Sequence, residues 1–194
     1  MAKHDTMPET MDETDVVDLL VAQHARIQKL FDEVEHASGE QRAESFTRLV
    51  RLLAVHETAE EEIVHPYARL RLDGGDAVVD DRLQEENRAK QLLMKMDRAG
   101  VEAAGFMENL AALRAMVTAH AHNEERHEFT QLRAHTSQIE RRGLAVGVKA
   151  AEALAPTHPH PGTEGAVKNV LVGTPIAMMD RARDVIRQAM GKQP

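Results

Sequence analysis

Between about residues 14 and 135, apolar residues recur every three to four positions in four long stretches separated by glycine-containing breaks. In every stretch, that apolar stripe is interrupted by His or Glu. A 3–4 spacing is the period of an α-helix with one buried face, and a chain with four such faces and short connections buries them against one another. The first stretch starts near Thr14, a helix-capping residue type, and stops at Ala37-Ser38-Gly39; its stripe is Val17, Leu20, Ile27, Phe31 and Val34, with the gap at His24. The second, about 40–72, carries Phe46, Leu49, Leu53, Ile63 and Tyr67 and ends at Asp73-Gly74-Gly75; His56 and Glu60 fill the middle of its stripe. The third, about 76–99, places Ala89, Leu93 and Met96 inward before Gly100, and one step back on that face is Glu86. In the fourth, about 104–135, Phe106, Leu110, Leu113 and Val117 run directly into His120, Glu124 and His127.

The interruptions share a chemistry. His56-x-x-x-Glu60 and His120-x-x-x-Glu124 each set an imidazole and a carboxylate on one helix face, roughly 6 Å apart in rise, so that both reach a common point. Glu125 lies about 100° around the helix from Glu124, which makes Glu124 the inward residue. A single inward His is ordinarily a hydrogen-bonded core residue, and a lone H-x-x-x-E pair ordinarily decorates a solvated face. Six such groups on four apolar stripes are another matter, because burying unpaired ions costs several kcal/mol each and coordination of a cation removes that cost. His24, His56, Glu60, Glu86, His120 and Glu124 therefore form a candidate ligand set, enough for two metal ions bridged by carboxylates.

Composition narrows the classes. Aromatic residues are scarce (four Phe, one Tyr, no Trp), as suits a helical chain. A formal net charge of −8 argues against a nucleic-acid surface or an anionic membrane as partner. With no Cys there is no disulfide, thiolate ligand or thiol nucleophile, and with no signal peptide or long apolar run the expected location is cytoplasmic.

The segment from about 16 to 135 resembles the hemerythrin-like (HHE cation-binding) family. The resemblance rests on His24, on His56-Glu57-Thr58-Ala59-Glu60-Glu61, and on His120-Ala121-His122-Asn123-Glu124-Glu125. It implies an all-α, antiparallel up-down-up-down four-helix bundle around a non-haem centre of two iron ions, oxo- or hydroxo-bridged and spanned by carboxylates. Manganese suits the same ligand types and is the less favoured ion. His24, His56 and His120 would be terminal ligands, and Glu60 and Glu124 bridges. The chain departs from the family in its third helix, where a His is common and this sequence has none between Asp76 and Gly100; the position falls on Glu86. A carboxylate in place of imidazole makes the site harder and more anionic, favouring the ferric state. The expected role is accordingly a reaction with hydrogen peroxide or dioxygen, of catalase or peroxidase type if enzymatic, with no catalytic residue beyond the metal centre. Sensing or binding of oxygen, nitric oxide or iron without turnover is the alternative, and the chain would act as a monomer or homodimer.

Four neighbours are candidates beside the ligands, Tyr67 and His127 by continuation of their stripes and Glu57 and Glu125 by adjacency in sequence, with a solvent-facing boundary position the favoured reading of His127 and a solvated face the ordinary one of Glu57. Pro66 has the opposite implication for Tyr67, since a proline within a helix can rotate the next residue away. The domain reading is a flexible leader over 1–13, the bundle over 14–135, and a helical extension over 136–194, with helices near 137–154 and 175–190 and a Pro/His linker at 156–162.

Overall fold

The computed structural model describes residues 14–155; the expected leader, the Pro/His linker and the last expected helix lie outside the described residues. Helix α1 (Val16–His36) starts on Asp15, whose side chain accepts from the Val17 amide. Helix α2 (Gly39–Ala59) passes through a π-helical turn, Glu60–Val64, into α3 (His65–Arg71), so that the three form one continuous rod. Helix α4 (Gly75–Ala99) follows a tight turn in which Gly74 is left-handed at φ 68°. Beside it, a side chain on Gly75 would stand 2.6 Å from the Ala68 carbonyl oxygen, so the end of α3 and the start of α4 can touch only through glycine. The fourth rod repeats the second: α5 (Phe106–Asn123), a π-helical turn at Glu124–Glu128, then α6 (Phe129–His135).

The four rods pack in the ring order α1, α2–α3, α4, α5–α6, giving the all-α four-helix bundle that the stripes imply. A fifth helix, α7 (Gln138–Leu154), begins with a full capping box between Ser137 and Glu140 and lies over α1, α2 and the first π-turn. The core has two separate apolar clusters. One, at the α7 end, gathers Val16, Leu20, Val64, Phe129, Leu132, Leu144 and Val148; the other, at the opposite end, gathers Ile27, Phe31, Leu49, Leu53, Leu93, Leu110 and Leu113. Between the two groups in sequence, on every rod, fall the polar interruptions, all of them buried: His24, His56, Glu60, Glu86, His120 and Glu124.

The π-turns explain where the simple stripe fails. Each begins at one of the inward carboxylates, and in each a backbone amide reaches back five residues, His65 to Glu60 and Phe129 to Glu124. The extra residue advances the inner face by one position. Instead of Tyr67 and His127, the buried positions are His65 with Ala68 beyond the first turn, and Glu128 at the end of the second with Phe129 and Leu132 beyond it.

Candidate metal centre

The six expected residues converge. One oxygen or nitrogen from each of His24, His56, Glu60 and Glu124 lies within 4.8 Å of the others, and so does one from each of Glu60, Glu86, His120 and Glu124. Glu60 and Glu124 belong to both groups, so the two clusters share a pair of carboxylates. Within them, His24 Nε2 is 3.3 Å from Glu124 Oε2, His120 Nε2 is 3.4 Å from Glu124 Oε1, and His56 Nε2 is 3.4 Å from Glu60 Oε2.

Hydrogen bonds on the outer side of each imidazole set its inner side. His24 Nδ1 donates to Glu125 (2.8 Å), His120 Nδ1 to Glu85 (3.2 Å), and His56 Nδ1 to the Gln23 side-chain oxygen (2.7 Å). Each of those partners is an acceptor, so in the neutral ring Nδ1 carries the proton and the Nε2 lone pair is left to the centre. Glu85 is itself held by Arg82 and by Asn123, at 3.0 and 2.9 Å. The His24 ring stacks on Phe129 and meets His56 edge-on, with ring centroids 5.8 and 5.0 Å away.

Most of the inward-facing atoms of four of these residues have no protein partner. His24 Nε2, His120 Nε2 and both oxygens of Glu60 and of Glu124 are buried without a hydrogen bond. Buried polar atoms are nearly always satisfied, so a cluster of six orphans, all lone-pair donors on imidazole and carboxylate, fits a divalent cation in donor type and position. The electrostatics agree. Burial and the neighbouring Glu124 push the Glu60 pKa well above the ordinary carboxyl value. Burial would likewise lift Glu124, but His120 and His24 hold it down at about 2. Burial opposes charge on His24 and His120, yet the carboxylates beside them win: His24 is raised through Glu124 and Glu125, and His120 rises to about 9 through Glu124 and Glu85. Burial, with His24 nearby, lowers His56 to about 3. The carboxylates of the centre thus favour positive charge at His24 and His120, the charge that a cation would bring.

The four candidate neighbours divide. Glu125 does bond a candidate ligand, His24. Glu57 is buried but turns to Lys90 Nζ (3.5 Å), which also contacts Glu61 and, at 3.3 Å, Glu86. Tyr67 does not face the centre: its hydroxyl donates to Glu140 on α7 at 3.0 Å. His127 is exposed. Both placements follow from the one-residue advance at the π-turns. Sequence reasoning also missed His65, buried between Glu86 (2.7 Å from Nε2) and Glu128 (3.2 Å from Nδ1). Burial would lower the His65 pKa, but the two carboxylates raise it well above the ordinary value, and His65 in turn holds Glu86 below the usual carboxyl range despite burial. Gln23 and Glu85 were missed as imidazole partners, and spacing carries no signal for them because each reaches its histidine from another helix.

A model of the hemerythrin HHE cation binding domain matches residues 15–132. Over 178 residues the chain is 23% identical to an uncharacterized hemerythrin-like protein of Schizosaccharomyces pombe, covering 90% of this chain and 88% of that one. It is 26% identical over 138 residues to a DNA nickase of Nostoc sp., a match over 71% of this chain and 39% of the nickase. The fold is shared with the crystal structure of a hemerythrin HHE cation binding domain-containing protein from Mycobacterium kansasii, at a TM-score of 0.64 and 18% identity over 87% of this chain and 98% of that one.

Proposed function

Because this chain belongs to the hemerythrin HHE cation-binding family, we propose that its centre holds two iron ions and reacts with hydrogen peroxide or dioxygen. The observation that carries the proposal is the sharing of Glu60 and Glu124 between the two four-residue groups. Two carboxylates common to both positions are what a dinuclear site requires of its bridges. In this reading His24 and His56 complete one position, and Glu86 and His120 the other. An iron pair held there would supply a two-electron exchange with peroxide or dioxygen, and the six side chains would hold it in a preformed site.

The donor set favours that chemistry over reversible carriage. Three of the six donors are carboxylates, which stabilise the oxidised ions. Glu86 is further held in place by His65 and Lys90, which fix a carboxylate where the family commonly has imidazole. Phe129 and the apolar clusters on either side wall the centre from bulk water. A nucleic-acid substrate is not proposed: the formal net charge of −8 opposes a phosphate backbone. No helix among the described residues is long and apolar enough to cross a membrane.

Iron content with the visible spectrum tests the metal assignment; about two iron per chain and the absorption of a coupled ferric pair are expected. Peroxide consumption then tests the reaction. Iron-loaded protein should outpace His56→Ala and Glu86→Ala variants, and equal rates in all three would remove the peroxide reading. A large iron-dependent rise in melting temperature without turnover would assign the centre to sensing instead.

A further inference from the structure

We propose that Glu152, on the helix that follows the bundle, is a positioning residue for His56, acting through the Gln23 amide to hold the imidazole Nε2 toward the centre. The inference rests on reading that centre as a metal site.

The relay is a chain of three side chains from three helices. His56 Nδ1 is 2.7 Å from Gln23 Oε1, and Gln23 Nε2 donates to Glu152 Oε1 at 2.5 Å. Gln23 and His56 are buried, and Glu152 is half-buried at the rim. An amide has one donating and one accepting end, and Glu152 decides which points where. With its NH2 on the carboxylate, Gln23 can offer only oxygen to the imidazole, so Nδ1 must carry the proton. The reversed amide would set its oxygen against the carboxylate, two acceptors in contact, and would ask Nδ1 to accept, moving the ring proton to Nε2 and ending its use as a ligand.

His56 stands apart from the other two imidazoles in this respect. His24 and His120 bond directly to carboxylates from within the bundle, Glu125 and Glu85. The carboxylate that orients His56 comes instead from α7, which lies outside the family-matched residues 15–132. That helix is fastened at its other end by Glu140 to Tyr67 and Arg71, and by Arg141 to Asp15 at 2.6 Å. Leu144, Ala145, Val148 and Ala151 bury its inner face along the same side as Glu152. The helix that covers one end of the bundle is thereby also a component of the centre.

The test uses the full chain with Glu152→Ala and Glu152→Gln, titrated anaerobically with ferrous iron against a competing chelator, alongside the melting temperature of the metal-free proteins. Glu152→Ala should weaken one of the two ferrous ions about tenfold, the lower end for loss of an imidazole's outer partner, and leave the other unchanged. Glu152→Gln can still accept from Gln23 but can also donate to the reversed amide, so it should recover only part of the affinity that Glu152→Ala loses. A purely structural Glu152 would lower the melting temperature of metal-free Glu152→Ala with both affinities intact, and that result overturns the proposal. Equal loss in the two variants overturns it too, since an accepting oxygen at position 152 would then make no difference to His56. Wild-type protein that takes up no ferrous iron would remove the metal-site reading and this proposal together; wild-type uptake of both ions, matched by Glu152→Ala, would remove this proposal alone.

Discussion

Glu60→Gln should raise the stability of the metal-free protein and abolish its response to metal. Both Glu60 oxygens are buried without a donor, and burial with the neighbouring Glu124 lifts its pKa well above the ordinary 4.5. Near pH 4 and below, Glu60 is protonated in folded and unfolded chains alike. As the pH rises from 4.5 toward the raised native value, the unfolded chain gives up the proton first, so the metal-free fold loses stability across that interval. A glutamine does not titrate, and its NH2 can donate to Glu124. Relief of one unsatisfied buried group is worth about 1–3 kcal/mol. At about 2–4 °C per kcal/mol for a chain of this size, the variant should melt about 2–12 °C above wild type at pH 8 and show little advantage at pH 4. With ferrous iron at about a hundred times its dissociation constant, wild type should gain about 2.7 kcal/mol, or about 5–11 °C. The variant should gain nothing, having lost the anionic bridge common to both positions. Calorimetry at pH 4 and 8, with and without metal, reads the whole pattern. If metal-free Glu60→Gln melts below wild type, or if it keeps the metal-dependent rise, the reasoning from orphaned carboxylate to bridging ligand is wrong.

Three further outcomes are expected. Loading a divalent cation at pH 7 should release protons, because His24, Glu60 and His120 hold raised pKa values in the metal-free protein whereas Glu124, at about 2, has no proton to lose. Affinity should therefore climb with pH until about 9, the value for His120, and titration calorimetry in buffers of different ionisation heat would contradict this by detecting no release. His65→Ala leaves the Glu86 and Glu128 carboxylates buried without their shared partner and should cost about 3–5 kcal/mol, seen as a lower urea midpoint of the metal-free protein; a loss under 1 kcal/mol would show that the imidazole does not hold them. Glu85→Ala frees the His120 ring from its outer bond and should weaken metal binding about 10–100-fold, which competition against a chelator measures.

Much of the architecture was legible in local spacing. The stripes through Val17 to Val34, Phe46 to Leu53, Ala89 to Met96 and Phe106 to Val117 name their own buried faces, because a helix repeats every 3.6 residues whatever it packs against. The same periodicity pointed His24, His56, Glu60, Glu86, His120 and Glu124 inward, and the structure gathers those six. Its continuation fails at Tyr67, two turns past Glu60, and at His127, one turn past Glu124, where the solvent-facing reading holds. A π-turn leaves no mark in the alternation of polar and apolar residues. Pro66 follows the first, but the second, at Glu124–Glu128, has no proline in it or directly after it. The slip is thus a property of the packed rods around the two carboxylates, not of one residue's backbone preference.

What the chain determined by itself, then, was four amphipathic faces and the chemistry set into them, since both depend only on residues a helical turn apart. Tertiary structure decided the remainder: the phase of each rod beyond its π-turn, the burial of His65 between Glu86 and Glu128, and the outer partners Glu125, Glu85 and Gln23 that choose the imidazole tautomers. The physical reason is directionality. Burial is a property of a face and repeats along the sequence, whereas a hydrogen bond needs a particular atom from another helix at about 3 Å, and that meeting exists only once the helices are packed.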